Sequence, residues 1–435
     1  MKGFRRRAVV AATAAAVMML AAACGGGDDE TPGAGPLPTD SVELTFWWWG
    51  SAERAATTQQ VIDLFEKKYP FIHVKGEPQD FANYFANLST KFAASDAPDV
   101  ITMGGAYVLG YAADGNLADL GTLGGELDTK VFPTSILQAS TYENKIYGVP
   151  TGGNAIALMA NKSLFDKLGV ALPNDDTWTW EQFTALAKEI STKAPSGTYG
   201  AELRSYDYIG AYAAQQTPLY DDKGNLTVTE ATLTTMWELE KDLLAARAMP
   251  PADLTQQVMT VEAPQTLFGQ GRSAMFFGYT NQVGTYAAAS GNDIVLLRIP
   301  GESQYGKPGT SLLPSQYYTV NGGSKYQRQA ALFVDFLVND EEAGKLILAD
   351  RGLPSNPKVR AAIAPLLSPE DQRAATFIDK NNDRFGPSFV PPSWATDVNR
   401  ITQTIDSQVL FGQLTPAQAA AEWIKQMTSS KAANS

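Results

Sequence analysis

The chain has 435 residues, of which 44% are hydrophobic and 10% aromatic, and it carries a formal net charge of −12 at pH 7. This length exceeds what one hydrophobic core organises and predicts two domains, while the acidic balance disfavours nucleic acid as a partner. With one cysteine and one histidine, an internal disulfide is impossible, and histidine triads and multi-histidine metal sites are disfavoured. We therefore expect no metal and no cofactor.

The first 24 residues have the pattern of an export signal. A basic start with Arg5-Arg6-Arg7 leads into an apolar run from Ala8 to Ala23, and small residues directly precede Cys24. A cysteine at this position resembles the lipobox of bacterial lipoproteins, in which the thiol is acylated and becomes the mature amino terminus. We expect residues 1–23 to be a signal peptide, and the exported protein to be anchored to the outer face of the cytoplasmic membrane through lipidated Cys24.

Two other interpretations concern the same segment. A transmembrane helix containing Cys24 is disfavoured, because the apolar run is short for a bilayer core that takes roughly 20 residues. The three arginines permit the twin-arginine export route as well as general secretion, and the sequence leaves both open. Residues 24–41, which are rich in glycine, proline and acidic side chains, are predicted to form a flexible tether.

From Val42 onward, short apolar strands alternate with amphipathic helices, which is typical of an α/β sheet with helical crossovers. The first strand is predicted over 42–48 and its helix ends at Pro70, a second strand follows over 71–75, and a third over 99–103. Helices are predicted after Asp80 and over 107–113. Alternation predicts that Trp47 and Trp48 point to opposite faces of the sheet.

A second α/β series begins after the strand predicted at 144–150 and the flexible Thr151-Gly152-Gly153. Thr179 to Gln182 has the sequence of a capping box and opens an amphipathic helix. Another strand is predicted over 293–298. The turn at 221–224 lacks the ligand spacing of a calcium loop. We interpret 150–154 as a crossing between two lobes.

A series of short motifs runs in a fixed order along nearly all of this part of the chain. They are Phe46-Trp47-Trp48-Trp49-Gly50, Phe65-Glu66-Lys67-Lys68-Tyr69-Pro70, Ala97-Pro98-Asp99-Val100-Ile101, Tyr147-Gly148-Val149-Pro150, Thr177-Trp178-Thr179-Trp180-Glu181, Gly271-Arg272-Ser273-Ala274-Met275-Phe276-Phe277 and Arg351-Gly352-Leu353-Pro354-Ser355-Asn356. In order and spacing they resemble the extracellular solute-binding proteins of bacterial ABC importers, specifically the sugar-binding family that includes maltose-binding protein.

The resemblance implies an α/β, two-lobed periplasmic-binding-protein fold with three interlobe crossings. On this basis residues 42–153 and 297–337 are expected to form the first lobe, and residues 154–296 and 338–435 the second. A sugar or oligosaccharide would bind in the cleft between them and be buried by hinge closure. The expected partners are that ligand and the permease subunits of an ABC transporter, with the receptor itself a monomer.

The candidate ligand residues follow from the resemblance and from the rule that ligands gather beyond the carboxyl ends of strands. In that position we expect Trp49, Gly50, Ser51, Glu53, Gly105 and Tyr107 in the first lobe, and Tyr279 and Asn281 in the second. Tyr206 and Asp207, in a predicted loop, and Trp394 complete the set. Aromatic rings cover the apolar face of a sugar, while charged and amide groups hydrogen-bond its hydroxyls.

Two alternatives remain beside the sugar receptor. One is a secreted carbohydrate-active hydrolase, which needs two carboxylates about 5–10 Å apart across the cleft; Glu53 and Asp207 are the nearest candidates. The other is a receptor for a ligand that is not a sugar. A nucleophile–base constellation is not evident in the sequence, so we expect binding without catalysis and name no catalytic residue.

Overall fold

The computed structural model of the protein describes residues 35–50, 52–79, 81–123, 125–221, 223–259, 261–387, 391–395 and 397–434. The predicted signal peptide, Cys24 and Ser51 lie outside these ranges. None of the described helices combines the length and the apolar character that crossing a bilayer requires.

The strands of the fold are short, and most belong to one of two sheets. They are β1 (Val42–Trp49), β2 (Ile72–Gln79), β3 (Val100–Met103), β4 (Thr141–Tyr142), β5 (Lys145–Ile146), β6 (Val149–Pro150), β7 (Gly153–Asn161), β8 (Met275–Tyr279), β9 (Ile294–Leu297), β10 (Leu312–Pro314) and β11 (Tyr317–Val320).

Helices connect and cover these strands. They are α1 (Ala52–Lys68), α2 (Phe81–Ala93), α3 (Gly105–Ala113), α4 (Thr134–Gln138), α5 (Lys162–Leu168), α6 (Trp180–Lys193), α7 (Ser205–Ala214), α8 (Glu230–Ala245), α9 (Ala252–Val258), α10 (Val283–Ser290), α11 (Glu302–Tyr305), α12 (Gln327–Asn339), α13 (Glu341–Ile347), α14 (Pro357–Ile363), α15 (Pro369–Lys380), α16 (Val398–Leu410) and α17 (Pro416–Asn434).

The first sheet has the strand order β2-β1-β3-β11-β6. β1 runs parallel to both β2 and β3, and β11 runs antiparallel to β3 and β6. Successive side chains of β1 point to opposite faces, as the sequence predicts. Phe46 and Trp48 join a large core that includes Phe333 of α12, whereas Trp47 joins a smaller aromatic cluster with Tyr84 and Tyr317.

The second sheet is built on the long apolar strand β7. β8 pairs along one edge of β7, and β9 and β10 pair along the other, all antiparallel. Alternation again divides the side chains. Ile156, Leu158 and Ala160 face a second core with Trp180, Phe183, Tyr208 and Trp237, and Ala155, Ala157 and Met159 face the first core.

The chain passes between the two sheets at residues 151–153 and 315–316, and residues 351–353 lie beside both segments. We call these three segments the hinge. The Thr151 N–H donates to the Gln316 carbonyl at 2.9 Å, Ser315 N–H to the Gly152 carbonyl at 2.9 Å, and Gly153 N–H to the Leu353 carbonyl at 2.7 Å. The backbones approach closely, because a Cβ on Gly152 would lie 2.6 Å from the Gly352 backbone.

Two lobe boundaries differ from the prediction. Residues 297–337 were expected in the first lobe, but β10 pairs with β7, so the chain leaves the second sheet after Pro314 and enters the first at Tyr317. The return predicted at residue 338 also comes later: α13 and α14 pack on α1 and α12, and α15 packs on α10 and β9. β10 has three residues, too few to show a period in the sequence.

Candidate functional site

Two neighbouring cavities open beside the β7–β8 edge of the second sheet. The first, the hinge cavity, has a volume of about 670 Å³, and its polar lining residues are Thr57, Asn154, Asn281, Ser315, Gln316, Asp350, Arg351 and Asp371. The second, the tyrosine cavity, has a volume of about 420 Å³ and is lined by residues that include Ile156, Tyr206, Asp207, Tyr279, Pro308, Gly309, Ser311, Gly386, Pro387 and Asn399.

The strand register explains why the cavities adjoin. Ile156 and Tyr279 are paired across β7 and β8 and line the tyrosine cavity. Asn154, two residues back along β7, and Asn281, two residues on from Tyr279, line the hinge cavity. Asn154 and Ile156 are two residues apart on β7 and therefore share a face. Asn281 belongs to the short helical turn over Thr280–Gln282 that follows β8, so this end of the sheet supplies residues to both cavities. Together the two cavities form a candidate cleft next to the hinge.

Asp207 lies in the wall of the tyrosine cavity, on the first turn of α7. Its carboxylate accepts a 2.6 Å hydrogen bond from Arg204 Nε. Burial raises the pKa of Asp207 to about 6, against the opposing effect of the Arg204 charge. The sequence predicted a loop here, but the helix begins at Ser205, so Asp207 is held by secondary structure as well as by its ion pair.

Tyr206, the neighbouring cavity residue, is also fixed by a hydrogen bond. Its hydroxyl donates to the Met259 carbonyl at 2.8 Å. Burial raises the pKa of Tyr206 to about 12, so the phenol is neutral at physiological pH. Burial likewise raises the pKa of the adjacent Glu202 to about 7, although that carboxylate accepts a hydrogen bond from Phe268 N–H at 2.7 Å. The wall behind the cavity therefore includes a neutral phenol and a buried carboxyl group whose pKa lies above its ordinary value.

Tyr279 stands at the end of β8, as the sequence predicts. It is half-buried against the second core, and its N–H donates to Gln282 Oε1 at 3.0 Å. Burial raises the pKa of its phenol. The structure therefore brings Tyr206, Asp207 and Tyr279, three of the predicted ligand residues, into one cavity.

The hinge cavity contains a buried arginine and an unpaired amide oxygen. Arg351, 3% exposed, donates to the Tyr318 hydroxyl and to Thr58 Oγ1. Asn154 donates from Nδ2 to Ser315 Oγ at 2.9 Å, while its buried Oδ1 has no hydrogen-bond partner within the described part of the chain. A buried acceptor without a hydrogen-bond partner is uncommon in folded proteins and calls for a functional explanation.

The predicted residues of the first lobe lie at the carboxyl ends of β1 and β3. The Trp49 ring packs 4.9 Å from that of Tyr84, Gly50 adopts φ +148°, and Glu53 is exposed on the first turn of α1. Tyr107, 42% exposed, stacks on Phe85 with ring centres 3.5 Å apart. None of these residues belongs to the described lining of either cavity.

Gly105 and Trp394 complete the predicted set and have contrasting surroundings. Gly105 opens α3, and a Cβ at this position would lie 3.7 Å from the Tyr317 ring. Trp394 is only 7% exposed; its Nε1 donates to the Gly224 carbonyl at 2.9 Å, and its ring meets that of Tyr220 edge-on at 5.3 Å. The structure thus places Trp394 in the second core and outside both cavities.

Sequence reasoning missed several cavity residues. Asn154 is the first polar residue after Gly152-Gly153 and precedes the apolar run of β7, a signal that could have identified it. Asn399 of α16, together with the Pro308-Gly309 and Gly386-Pro387 segments, reaches the tyrosine cavity from distant parts of the chain. Their sequence context carries no comparable signal. Among the described residues, no cluster of three or more His, Cys, Asp or Glu side chains could hold a metal ion.

The fold and the cleft at its hinge are those of a receptor of the binding-protein class. Residues 48–344 match the family model of the bacterial extracellular solute-binding proteins, and the chain belongs to this family. It is 24% identical over 287 residues to the diacetylchitobiose-binding protein DasA of Streptomyces coelicolor, a match that covers 65% of this chain and 66% of that relative, slightly under two thirds of its length.

Solved structures agree on the fold. A family 1 extracellular solute-binding protein from Alicyclobacillus acidocaldarius superposes with a TM-score of 0.80 at 27% identity, covering 90% of this chain and 98% of the other. A periplasmic oligogalacturonide-binding protein from Yersinia enterocolitica gives a TM-score of 0.78 at 20% identity, covering 90% and 100%. The two-lobed α/β fold predicted from the sequence is confirmed.

Proposed function

We propose that this protein is the oligosaccharide receptor of an ABC importer, and that its ligand binds in the tyrosine cavity and the adjoining hinge cavity. The observation that carries the proposal is the meeting of Tyr206, Tyr279 and Asp207 in one cavity beside the hinge. The relatives support the ligand class, because DasA is named for diacetylchitobiose and another relative, from Bacillus subtilis, is named an arabinooligosaccharide-binding protein.

The chemistry of the cavity suits a sugar. A pyranose has an apolar C–H face and a rim of hydroxyls that donate and accept hydrogen bonds. The rings of Tyr206 and Tyr279 offer surface for the apolar face, and Asp207 and Asn399 offer acceptors and a donor for the rim. The volume of about 420 Å³ is in the range of small-ligand sites. Asn154 Oδ1 would receive a ligand hydroxyl in the neighbouring hinge cavity.

Closure of the hinge would complete the site. The aromatic residues of the first lobe, Trp49 and Tyr107, lie at or just beyond the carboxyl ends of β1 and β3. They share this edge of the sheet with the end of β6, from which the chain crosses to the second lobe. Rotation about the hinge would bring them toward the ligand and produce the closed form that the permease distinguishes from the open one. In this proposal the receptor is monomeric, exported, and anchored through lipidated Cys24.

A receptor explains the cavity better than a hydrolase does. Asp207 is the single carboxylate among the described residues that line the tyrosine cavity, and it is paired with Arg204. The two carboxylates of the adjoining hinge cavity are also engaged, since Asp350 pairs with Arg54 and Asp371 accepts a hydrogen bond from the Ser368 hydroxyl. Glycoside hydrolysis by a carboxylate pair needs a second acid across the scissile bond. Glu53, the other candidate, is exposed on α1 and lines neither cavity in the described structure.

The test is calorimetric titration of the processed protein with a panel of defined oligosaccharides, followed by chromatography of the recovered sugar. We expect one sugar series to bind with a dissociation constant near the micromolar range, which corresponds to about −8 kcal/mol, and to be recovered unaltered. Failure of every oligosaccharide to bind would overturn the proposal. Steady release of a shortened product, lost on substitution of Asp207, would instead identify a hydrolase.

A further inference from the structure

The charges around the tyrosine cavity restrict its ligand further. Asp207 is its one acidic lining residue, and its described lining contains no lysine, arginine or histidine. The remaining polar contributors include Tyr206, Tyr279 and Asn399, all uncharged. A ligand in this cavity therefore meets one carboxylate and a set of neutral hydrogen-bonding groups.

The guanidinium beside this wall, that of Arg204, is bound by the protein through an ion pair, a hydrogen bond from Nη1 to the Met259 carbonyl at 3.4 Å and two ring contacts. Its Nε donates to Asp207 at 2.6 Å, and the group lies 4.6 Å above the Phe276 ring and 5.5 Å from the Tyr206 ring. The Arg204 side chain is only 10% exposed. Asp207 lines the cavity, whereas Arg204 does not, and Asp207 occupies the guanidinium with which an anionic ligand would otherwise pair.

The hinge cavity also offers an anionic ligand no free cation among its described lining residues. Its described lining contains one cation, Arg351, whose side chain is 2% exposed and is held by Thr58, Tyr318 and Asp350. Asp350 and Asp371 also line this cavity. An acidic ligand reaching into it would again meet more negative charge than positive.

We propose that this receptor selects neutral saccharides over uronic acids, and that Asp207 is the residue that excludes the acids. The proposal rests on the oligosaccharide receptor proposed above. A uronic acid replaces a hydroxymethyl group with a carboxylate, and binding must strip water from that charge. Here the buried carboxylate would find no free cation and would lie near a like charge, an arrangement that rejects a ligand.

The experiment compares neutral trisaccharides with uronate trimers of the same linkage, by calorimetry at pH 7.5. In the wild type, we expect the uronate to bind at least about 30-fold more weakly than its neutral counterpart, equivalent to roughly 2 kcal/mol. Asp207→Asn preserves the shape of the side chain and releases Arg204, so the discrimination should shrink by about tenfold. The matched control is Glu422→Gln, which also removes one carboxylate from a pair three residues apart in sequence, on the exposed face of α17.

The outcomes separate this proposal from the one it rests on. A uronate that binds the wild type as tightly as the neutral sugar would overturn the selection and leave the oligosaccharide receptor standing. Discrimination that is unchanged in Asp207→Asn, with the variant's melting curve showing a folded protein, would remove Asp207 as its cause. If neither series binds, both proposals fail.

Discussion

Tyr208 donates a 2.6 Å hydrogen bond to Glu240 Oε1 inside the second core, where both side chains are buried. The helix that carries Tyr208 is α7, which also presents Tyr206 and Asp207 to the tyrosine cavity. On the other side of Glu240 lies Asp406 of α16, which accepts a 3.2 Å hydrogen bond from Trp237 Nε1. A buried pair of acids therefore joins α7, α8 and α16 beneath the candidate site.

This pair predicts a pH-dependent stability. Burial raises the pKa of both Glu240 and Asp406, and each interacts with the other. A raised carboxyl pKa in the folded state stabilises the fold below the unfolded pKa, and that stabilisation is lost as pH rises through the folded value. We expect Glu240→Gln, which cannot ionise, to raise the melting temperature at pH 8 by about 3 °C and to flatten its decline between pH 5 and 8.

The control for this experiment is Glu238→Gln on the exposed face of the same helix, which should leave the pH profile unchanged. If Glu240→Gln lowers the melting temperature equally at every pH, the pair is an ordinary hydrogen-bonded contact and ionisation plays no part.

Truncation of Tyr279 tests whether its ring binds the ligand in the tyrosine cavity. Loss of a ring stacked on the ligand should cost roughly 1–3 kcal/mol, or about 5–150-fold in affinity. The sequence alone predicts almost no loss of stability. The structure changes that expectation, because Tyr279 is half-buried against the second core, so Tyr279→Ala should also lower the melting temperature of the unliganded protein. Calorimetry and thermal unfolding measure the two effects separately.

Tyr279→Phe provides the matched comparison, since it keeps the ring and removes only the hydroxyl. Its affinity should remain within about threefold of the wild type, the scale of one modest hydrogen bond. Equal losses in the Phe and Ala variants would assign the hydroxyl, and not the ring, to ligand binding.

The close approach of backbones at the hinge predicts the effect of Gly152→Ala. The new Cβ would lie 2.6 Å from both the carbonyl carbon and the oxygen of Gly352 and 2.7 Å from the Arg351 oxygen, so the hinge segments must separate. We expect a destabilisation of about 1–3 kcal/mol, a changed radius of gyration for the unliganded protein in X-ray scattering, and an altered ligand affinity.

Gly110→Ala is the control, because a Cβ at this exposed position of α3 meets nothing within 4 Å. It should stabilise the helix by about 0.5–1 kcal/mol. Should the two substitutions behave alike, the packing of Gly152 would have no special role in the hinge.

The predicted lipid anchor at Cys24 can be tested by cell fractionation. Cys24→Ala should abolish lipidation, so the protein should leave the membrane fraction without detergent, whereas the wild type should require it. The measurement is an immunoblot of membrane and soluble fractions before and after detergent. Retention of the variant in the membrane at the wild-type level would remove the predicted lipid anchor.

Local pattern was sufficient for much of the fold. The alternation of Trp47 and Trp48 and the capping box at Thr179 are present as predicted. Tertiary contacts decided the rest. Trp394 follows a proline-rich segment that resembles a surface loop, yet its indole donates a hydrogen bond to the Gly224 carbonyl and packs against the Tyr220 ring. Asn399 enters the cavity only because α16 packs against α7, a contact between residues far apart in sequence.

The chain crosses from the first lobe to the second between α14 and α15, and this position offers a way to measure hinge closure. Residues 350–363 are fastened to the first lobe, since Arg54 pairs with Asp350 and Arg351 is bound by Thr58 and Tyr318. α15 begins six residues after α14 ends and rests on the second lobe. Fluorescent labels on these two helices, which are neighbours in sequence, would therefore lie on opposite lobes, and the distance between them would change when the hinge closes. Because the chain's sole native cysteine lies at position 24, engineered thiols at those sites would carry the dyes in the folded body.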